Sequence, residues 1–340
     1  MTVSSSPILE IIGISKRFGA LQANRDISFS LARGEVLALL GENGAGKTTL
    51  MNILFGHYVA DSGEIRFDGQ PLPQGSPSAS LHLGIGMVHQ HFTLGENLTV
   101  LENVVLGTES LFRLSQNTAA AREKLLGLSE RFGLRVDPDR MVADLSVGER
   151  QRVEILKALY RDVHVLILDE PTAVLTPQES VQLFGALRSM VREGMSIIFI
   201  SHKLAETFDI ANRVVVLRRG EMAGIFDTQS TSEQALAHAM VGRALPQIDR
   251  YPAEAGAVVL ALHGLGVSRA DEHPLHDINL SLRAGEVVGI AGVSGNGQRT
   301  LTSVLGGDLV SSSGQLVFDG HEVKQVSPRR FISSGVARIP

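Results

Sequence analysis

The sequence predicts an α/β fold with a mixed, largely parallel sheet, because strand-like apolar runs alternate with helical patterns along the chain. Continuous runs of β-branched and aliphatic residues are typical of strands that are buried on both faces. They lie at 8–14, 35–40, 163–168, 195–201 and 213–218. Helical patterns occupy 46–55 and 177–192, and in the second of these Leu183, Leu187, Met190 and Val191 line one face. Many helix-forming residues predict a helical subdomain inserted at about 92–160.

A long internal repeat organises the chain. Residues 26–36 recur as 277–287, and the same offset of 251 positions relates Gly41 to Gly292 and residues 67–69 to 318–320. A unit of about 250 residues is too long for a solenoid, so the sequence predicts a duplicated domain. The predicted organisation is a complete domain at 1–245, a linker at 246–257 and the N-terminal part of a second copy at 258–340.

Composition and charge exclude several classes of function. The 340 residues are 44 % hydrophobic and 20 % charged, which excludes a disordered or collagen-like chain. The absence of cysteine excludes disulfide scaffolds, zinc knuckles and thiol catalysis. A net charge of −5 argues against a protein held to nucleic acid by phosphate contacts, so we expect no nucleic-acid partner. Because the chain has neither an apolar run of roughly 18 residues nor a basic and apolar leader, we expect it in the cytoplasm.

A glycine-rich turn follows the strand-like run at 35–40. Residues 41–48 fit the pattern G-x-x-x-x-G-K-[ST] between a strand and a helix, which is the context that a phosphate-binding loop (P-loop) requires. Backbone N–H groups of such a loop surround phosphate oxygens beside the positive end of the helix. Lys47 is expected to reach the β- and γ-phosphates, and the Thr48 hydroxyl to bind Mg²⁺. The residues predicted to bind nucleotide here are Gly41, Glu42, Asn43, Gly44, Ala45, Gly46, Lys47, Thr48 and Thr49.

Two acids end the strand-like run at 163–168. Because neighbouring side chains of a strand point to opposite sides, Asp169 and Glu170 need not share a role. Asp169 is predicted to hold the Mg²⁺ shell, while Glu170 faces the γ-phosphate and polarises an attacking water. The alternative is that both acids only cap the helix that begins near Pro177. A P-loop in the same domain favours the first interpretation.

Together with these residues, two further segments make the chain resemble the nucleotide-binding subunit of ATP-binding-cassette (ABC) transporters. Residues 145–151 precede Asp169, and residues 200–202 follow Glu170, in the order that the family has. The resemblance implies a P-loop NTPase cassette with a helical subdomain, ATP as the nucleotide and Mg²⁺ as its cofactor. It also implies a signature loop that grips the γ-phosphate bound on an opposite cassette. The residues of that loop are Ser146, Val147, Gly148 and Glu149.

The resemblance assigns roles to four other positions. Gln90, after a strand at 85–88, resembles the glutamine that contacts Mg²⁺ and the attacking water and relays to the membrane partner. His202 resembles the histidine that contacts the γ-phosphate. Phe18 stands where the family has an aromatic residue that stacks on adenine, and residues 174–176 resemble a loop that crosses the dimer interface. The implied catalytic set is Glu170, His202 and Gln90, and the implied Mg²⁺ set is Thr48, Gln90 and Asp169.

Two fused cassettes are similar to the tandem ATPases of simple-sugar and nucleoside importers. Residues 86–92, 153–160 and 171–177 favour the nucleoside branch. The resemblance implies integral membrane permease subunits as partners and, indirectly, a periplasmic or lipoprotein solute-binding protein. It places the chain at the cytoplasmic face of the cell membrane, bound through the permease.

The second copy departs from a working P-loop. Its glycines at 292–297 are kept, but Gln298 stands at the lysine position and Arg299 at the Mg²⁺-ligand position. A neutral amide lacks the charge that offsets a triphosphate, and a guanidinium cannot bind a cation. Because the chain ends at Pro340, before a second signature loop, the intact P-loop is expected to need the rest of the second cassette or a second copy of the chain. Two alternatives stay open: a truncated cassette that binds ATP without driving transport, and a soluble cassette ATPase that acts on nucleic acid or ribosomes.

Overall fold

The computed structural model describes residues 6–108, 118–242, 255–268, 273–292, 295–323 and 327–339. The described residues up to 242 form one compact unit, and those from 255 onward form a second. Most of the segment predicted as a linker, at 246–257, lies outside the described residues. Within the described part of the chain, no helix is both long enough and apolar enough to span a membrane.

Two sheets form the first unit. Its strands are β1 (Leu9–Phe18), β2 (Leu21–Leu31), β3 (Val36–Leu40), β4 (Ser62–Phe67), β5 (Gln70–Pro71), β6 (Ile85–Val88), β7 (Val165–Asp169), β8 (Ser196–Ile200), β9 (Arg213–Arg218) and β10 (Glu221–Asp227). The larger sheet has the order β10-β9-β3-β8-β7-β6, in which β10 alone is antiparallel to its neighbour. The runs that the sequence predicts as strands form β1, β3, β7, β8 and β9.

The larger sheet is buried on both faces, as the unbroken apolar runs predict. Every residue of β3, β7 and β8 is buried. Alternate residues of β3 face different cores, so that Val36, Ala38 and Leu40 pack into one and Leu37 and Leu39 into the other. The carboxyl ends of five parallel strands therefore lie along one edge, where ligand sites of α/β sheets form.

Helices cover both faces of this sheet. In the described part of the first unit they are α1 (Lys47–Phe55), α2 (Pro77–His82), α3 (Val100–Val105), α4 (Thr118–Arg131), α5 (Val147–Leu159), α6 (Pro177–Arg192), α7 (Leu204–Ile210) and α8 (Glu233–Val241). Helices α3, α4 and α5 fall within the segment predicted as a helical subdomain. Capping boxes fix the starts of α3, α5 and α6, where Thr99, Ser146 and Thr176 are the N-cap residues.

The smaller sheet is antiparallel, with the order β2-β1-β4-β5. The apolar periodicity of the sequence did not predict this separate sheet. It also predicted that β1 ends at residue 14, whereas β1 continues to Phe18. The reason is a break in the alternation of β1. Gly13 has a positive φ of 61°, and the register between β1 and its neighbours shifts around it. Such a bulge interrupts the two-residue period from which strands are predicted.

The second unit repeats this smaller sheet. Its described elements are β11 (Val258–Val267), β12 (Leu275–Arg283), α9 (Gln298–Leu305), β13 (Ser313–Phe318), β14 (His321–Glu322) and α10 (Pro328–Ser333), with the strand order β12-β11-β13-β14. The bulge is repeated too, since Gly264 has a φ of 57° and its N–H donates to Asn279 Oδ1 at 2.8 Å. In the first unit the N–H of Gly13 donates to Ser28 Oγ at the same distance.

The second unit differs at residues 287–291, which correspond to β3 by the offset of the repeat. These residues form no strand, and Val287 and Ile290 are 97 % and 52 % exposed. In the first unit β3 pairs with β8 on one side and β9 on the other, and both strands lie more than 150 residues further along the chain. Among the described residues of the second unit, no strand pairs with this segment.

Candidate nucleotide-binding site

The P-loop leaves the end of β3 and turns into α1. Gly46 is the N-cap of α1, with a φ of 98° that favours glycine. A Cβ atom there would lie 2.3 Å from the carbonyl oxygen of Ala23, so the loop and β2 touch through backbone atoms. No side chain caps the first turn of α1, which leaves its N–H groups for another acceptor. An uncapped helix start beneath a glycine loop favours the binding of an anion.

Lys47 lies inside the loop. Its side chain is mostly buried, and Nζ donates to the carbonyl oxygens of Gly41 at 2.8 Å and Glu42 at 3.0 Å. Burial lowers the pKa of the Lys47 ammonium, while the charges of Glu170 and Asp169 oppose that shift by favouring the charged form. The loop therefore carries a desolvated cation close to two carboxylates.

A cavity of about 690 Å³ brings the predicted nucleotide residues together. It is lined by the whole of the segment 41–49. From other parts of the first unit it is lined by Phe18, Leu21, Ala23, Gln90, Asp169, Glu170, His202 and Met240. The catalytic, nucleotide and Mg²⁺ residues expected from the sequence thus share one cavity, with the exception of the signature loop.

The two acids at the end of β7 both reach this cavity. Glu170 has a φ of 48° and so leaves the strand conformation, which means that the alternation of strand side chains does not extend to it. The N–H of Glu170 donates to the carbonyl oxygen of Ile200 at 3.0 Å, which ties the turn to β8. Burial and the charge of Glu170 raise the pKa of the Asp169 carboxyl, and Lys47 opposes that rise.

Glu170 is held between two side chains from distant parts of the chain. His202 Nδ1 lies 3.1 Å from one carboxylate oxygen, and Gln90 Nε2 donates to the other at 3.4 Å. Gln90 follows β6, Glu170 follows β7 and His202 follows β8, so three parallel strands deliver the three groups to one edge of the sheet. The contacts orient the Glu170 carboxylate toward the cavity.

Glu206 supports this arrangement, and sequence reasoning missed it. Its carboxylate accepts hydrogen bonds from Thr172 Oγ1 at 2.6 Å, Ser201 Oγ at 3.1 Å and Lys203 Nζ at 2.9 Å. These bonds join the turn after Glu170 to the turn that carries His202. The sequence shows only an acid in the first turn of α7, which by itself indicates a helix start.

The signature loop lies outside the cavity. Ser146 is the N-cap of α5, and its Oγ accepts from the N–H of Glu149 at 3.3 Å. The hydrogen bond from the Ser146 N–H lowers the pKa of the Glu149 carboxyl, and the charge of Arg140 adds to this effect. Gly148 lies against α6, since a Cβ atom there would come within 2.0 Å of Glu179 Oε1. Val147 and Val174 are both exposed, so the signature and the loop at 174–176 present apolar groups to solvent.

Part of the cavity lining is apolar. Phe18, Leu21 and Met240 form it, and the ring of Phe18 meets the edge of Tyr58 with centroids 5.4 Å apart. Lys16 Nζ lies 5.5 Å from the centroid of the Phe18 ring. Phe18 is itself 42 % exposed, so its ring is accessible to a flat ligand.

In the second unit the glycine before the helix has a backbone conformation similar to that of Gly46, but the side chains around it have different chemistry. Gly297 is the N-cap of α9 with a φ of 84°, close to that of Gly46. Gln298, in the position of Lys47, lies over Gly292, where a Cβ atom would be 2.1 Å from its Nε2. Residues 293–294 of the predicted loop lie outside the described residues. Gly295 and Gly297 thus have positive φ values like those of Gly44 and Gly46, while the cation is replaced by an amide.

The larger sheet carries a glycine loop around a buried lysine at the end of one strand and an acid pair at the end of another. This is the arrangement of a P-loop nucleoside triphosphatase. Within that class the chain belongs to the ABC transporter family. The model of that family matches residues 24–173 and 275–340, one segment in each copy of the repeat.

Relatives and solved structures agree with this membership. The chain is 41 % identical to the nucleoside import ATP-binding protein NupA of Lactococcus lactis subsp. cremoris, over 99 % of this chain and 67 % of NupA. It is 44 % identical to the glucose import ATP-binding protein TsgD13 of Haloferax volcanii, with the same shares covered. The chain therefore spans about two thirds of the length of these relatives. The ADP conformation of the ATP-binding cassette MJ1267 has a TM-score of 0.63 and 25 % identity, covering 70 % of this chain and all of that one.

Proposed function

We propose that this chain is the ATP-binding and ATP-hydrolysing subunit of an importer for nucleosides or simple sugars. The observation that carries the proposal is the single cavity that joins the P-loop, Asp169, Glu170, Gln90 and His202. In this proposal residues 1–245 are a complete cassette, and residues 258–340 are the first part of a second one. The membership of the chain in the ABC transporter family supports this reading.

ATP fits the polar and the apolar parts of the cavity lining. The triphosphate would lie on the N–H groups of the P-loop and the start of α1, with Lys47 exchanging its carbonyl partners for phosphate oxygens. Adenine would stack on the accessible ring of Phe18, beside Leu21 and Met240. The loop residues 41–49 are the proposed nucleotide contacts.

Mg²⁺ fits the oxygen groups beside the P-loop. The Thr48 hydroxyl, the Asp169 carboxylate and the Gln90 amide oxygen line the same cavity, and hard oxygen atoms are the ligands that Mg²⁺ prefers. Bound there, the cation would neutralise charge on the β- and γ-phosphates. The raised pKa of Asp169 also supports the assignment, because burial and the negative charge of Glu170 outweigh the positive charge of Lys47, and a bound cation would further favour the charged carboxylate.

Glu170 is the proposed general base. A water oxygen attacks the γ-phosphorus, the bond from that phosphorus to the ADP oxygen breaks, and Glu170 accepts the proton of the water. Gln90 and His202 hold the two oxygens of the carboxylate, so that it faces the water rather than turning away. Glu206 fixes the turn of His202 and thereby the direction of that contact.

The signature residues Ser146 to Glu149 serve a different site in this proposal. These residues do not line the cavity. The binding site for the γ-phosphate at residues 41–49 would therefore be completed by the signature loop of another cassette. Either the remainder of a second cassette or a second copy of this chain would provide it. Charge stabilisation shared across such an interface is absent from either partner alone.

The imported solute is inferred from relatives. NupA is named for nucleoside import and TsgD13 for glucose import, so nucleosides and simple sugars are the two solute classes proposed. Import requires permease subunits in the membrane as partners, and a solute-binding protein outside it. The chain would act at the cytoplasmic face, attached to the permease.

Three measurements test the proposal. Mg-ATP should raise the thermal unfolding midpoint of the chain, and its specific ATPase activity should rise with protein concentration, because a composite site needs two cassettes. Brisk turnover that is independent of concentration would contradict the composite site. In cells, replacing the gene with the Glu170→Gln variant should stop uptake of either labelled guanosine or labelled ribose. Unchanged uptake of both would contradict the importer role.

A further inference from the structure

Asn24 is a buried polar residue that the proposed mechanism does not use. It lies on β2 and is fully buried. Its Nδ2 donates to the carbonyl oxygen of Gly46 in the P-loop at 3.1 Å, and its Oδ1 has no hydrogen-bond partner among the described residues. Buried amides in folded proteins are nearly always fully hydrogen-bonded, so an amide with one orphaned atom calls for an explanation.

The contact lies at the point where the P-loop turns into α1. The carbonyl oxygen of Gly46 accepts from Asn24 and also from the N–H of Leu50, at 3.0 Å, so it is held from two directions. Because the peptide group is planar and trans, fixing this carbonyl also fixes the N–H of Lys47, which points the opposite way. That N–H belongs to the uncapped first turn of α1, where an anion would bind.

The second unit shows that the packing does not require an amide. By the offset of the repeat, Leu275 stands in the place of Asn24 and is also buried. Its Cδ2 lies 2.7 Å from where a Cβ of Gly297 would be, so it packs against the equivalent glycine. The carbonyl oxygen of Gly297 keeps its bond from the N–H of Leu301, at 2.9 Å. An apolar residue therefore fills this position beside a loop that has lost its lysine.

We propose that Asn24 is a positioning residue for nucleotide binding, which holds the Gly46–Lys47 peptide in the orientation that presents the Lys47 N–H to phosphate. The inference rests on the proposed function, because it requires that the loop at 41–48 binds a nucleotide. The amide is retained for this orientation although leucine would fill the position without leaving an orphaned polar atom. Local departures from what stability favours are expected at functional sites.

The test compares two substitutions of opposite effect on stability. Asn24→Leu removes the amide and fills the space, so the urea midpoint without nucleotide should stay the same or rise. Asn24→Ala removes the same amide and leaves a cavity, so its midpoint should fall. Both variants should bind Mg-ADP about three- to tenfold more weakly than the unchanged chain, because each loses one hydrogen bond to the loop. Equilibrium titration of the full chain with Mg-ADP gives the affinity.

Gln22→Leu is the matched control. Gln22 is an amide on the same strand, but its Nε2 donates to the carbonyl oxygens of Lys16 and Asn24 rather than to the P-loop. Its affinity for Mg-ADP should stay within twofold of the unchanged chain. If Asn24→Leu binds Mg-ADP as tightly as the unchanged chain, or if affinity in the three variants follows only the urea midpoint, the positioning role is wrong. Failure of the unchanged chain to bind Mg-ADP would instead overturn the proposed function, and this inference with it.

Discussion

The two copies of the repeat share their antiparallel sheet and the turn before their first long helix, but only the first copy has β3 as a strand. Antiparallel strands such as β1 and β2 pair across a short connection, so residues close in the chain are sufficient to form them. A parallel strand needs partners delivered by long crossover connections. In the first unit these partners are β8 and β9, which follow β3 by more than 150 residues.

Matched positions show the consequence for burial. Leu39, in the middle of β3, is fully buried, whereas Ile290 at the corresponding position is 52 % exposed. The same apolar pattern therefore forms the centre of a core in one copy and an exposed segment in the other. An apolar sequence therefore predicts that burial of a segment would be favourable. Whether the segment is buried depends on the strands and helices that pack against it.

The loops of the two copies have a glycine of similar conformation before the helix but differ in their chemical groups. Gly46 and Gly297 adopt similar positive φ values before α1 and α9, so this helix start does not depend on the lysine that follows it in the first copy. The first copy adds Lys47, Thr48 and the acids at the end of β7. In the second copy Gln298 and Arg299 occupy the first two of these positions. The following predictions test whether this chemistry, and the sheet behind it, makes the difference.

The largest expected effect is that of Lys47→Ala. Removing the one ammonium of the P-loop should abolish the rise in thermal unfolding midpoint that Mg-ATP produces, a stabilisation of about 2.7 kcal/mol at a ligand concentration 100 times the Kd. Gln298→Ala, at the matched position, should leave that rise unchanged. Thermal unfolding with and without Mg-ATP measures both, and an undiminished rise in the Lys47→Ala protein would contradict the assignment of the loop.

Glu170→Gln should slow ATP hydrolysis by about 10²-fold or more while leaving binding intact, because it removes the base and keeps the shape of the side chain. Phosphate release and Mg-ATP titration on the same preparation separate the two effects. Should Glu170→Gln lose binding as severely as Lys47→Ala, the division of roles between Glu170 and Asp169 would be wrong.

A matched pair of core substitutions tests the difference in burial. Leu39→Ala should lower the free energy of unfolding by about 2–5 kcal/mol, because it leaves a cavity in the core that covers one face of the larger sheet. Ile290→Ala should change it by no more than about 0.5 kcal/mol, as for other exposed positions. Urea unfolding of both variants measures this, and equal losses would mean that residues 287–291 are buried in solution.

In the absence of nucleotide and Mg²⁺, Asp169→Asn should raise the free energy of unfolding by about 0.5–2 kcal/mol. Gains of this size are typical when a functional residue that reduces stability is replaced. Burial and Glu170 disfavour the charged form of Asp169, as its raised pKa indicates, so removing the charge relieves that cost. The same variant should lose the Mg²⁺ dependence of ATP binding. A less stable variant that keeps its Mg²⁺ dependence would show that Asp169 has a structural role.

The smallest expected effect is that of converting the second loop. The double change Gln298→Lys and Arg299→Thr restores the P-loop pattern, but it does not turn residues 287–291, which form no strand among the described residues, into a strand. The number of Mg-ATP molecules bound per chain should therefore stay at the value of the unchanged protein. Calorimetric titration gives this number, and one additional site would mean that the loop alone is sufficient.

Much of the site follows from short segments. The P-loop at 41–48 and the acids Asp169 and Glu170 can be predicted from the sequence, because each is a fixed spacing next to an apolar strand. The positions of Gln90, His202 and Phe18 came from resemblance, and the structure places all three at the same cavity. The central strands were predictable as well, since both faces of the sheet are buried and their apolar runs are unbroken.

What the sequence by itself determined is thus local: the repeat, the buried strands, the glycine loop and the kinds of chemical group beside it. Tertiary structure decided which distant groups meet. The contact of Glu170 with His202, the bond from Thr172 to Glu206 and the bond from Asn24 to Gly46 join residues that are 32, 34 and 22 positions apart. Tertiary structure also decided that β3 is a strand and residues 287–291 are not. The physical reason is that a local sequence pattern determines which secondary structure a segment favours. Strand pairing and burial depend on other segments, which only the folded chain brings next to it.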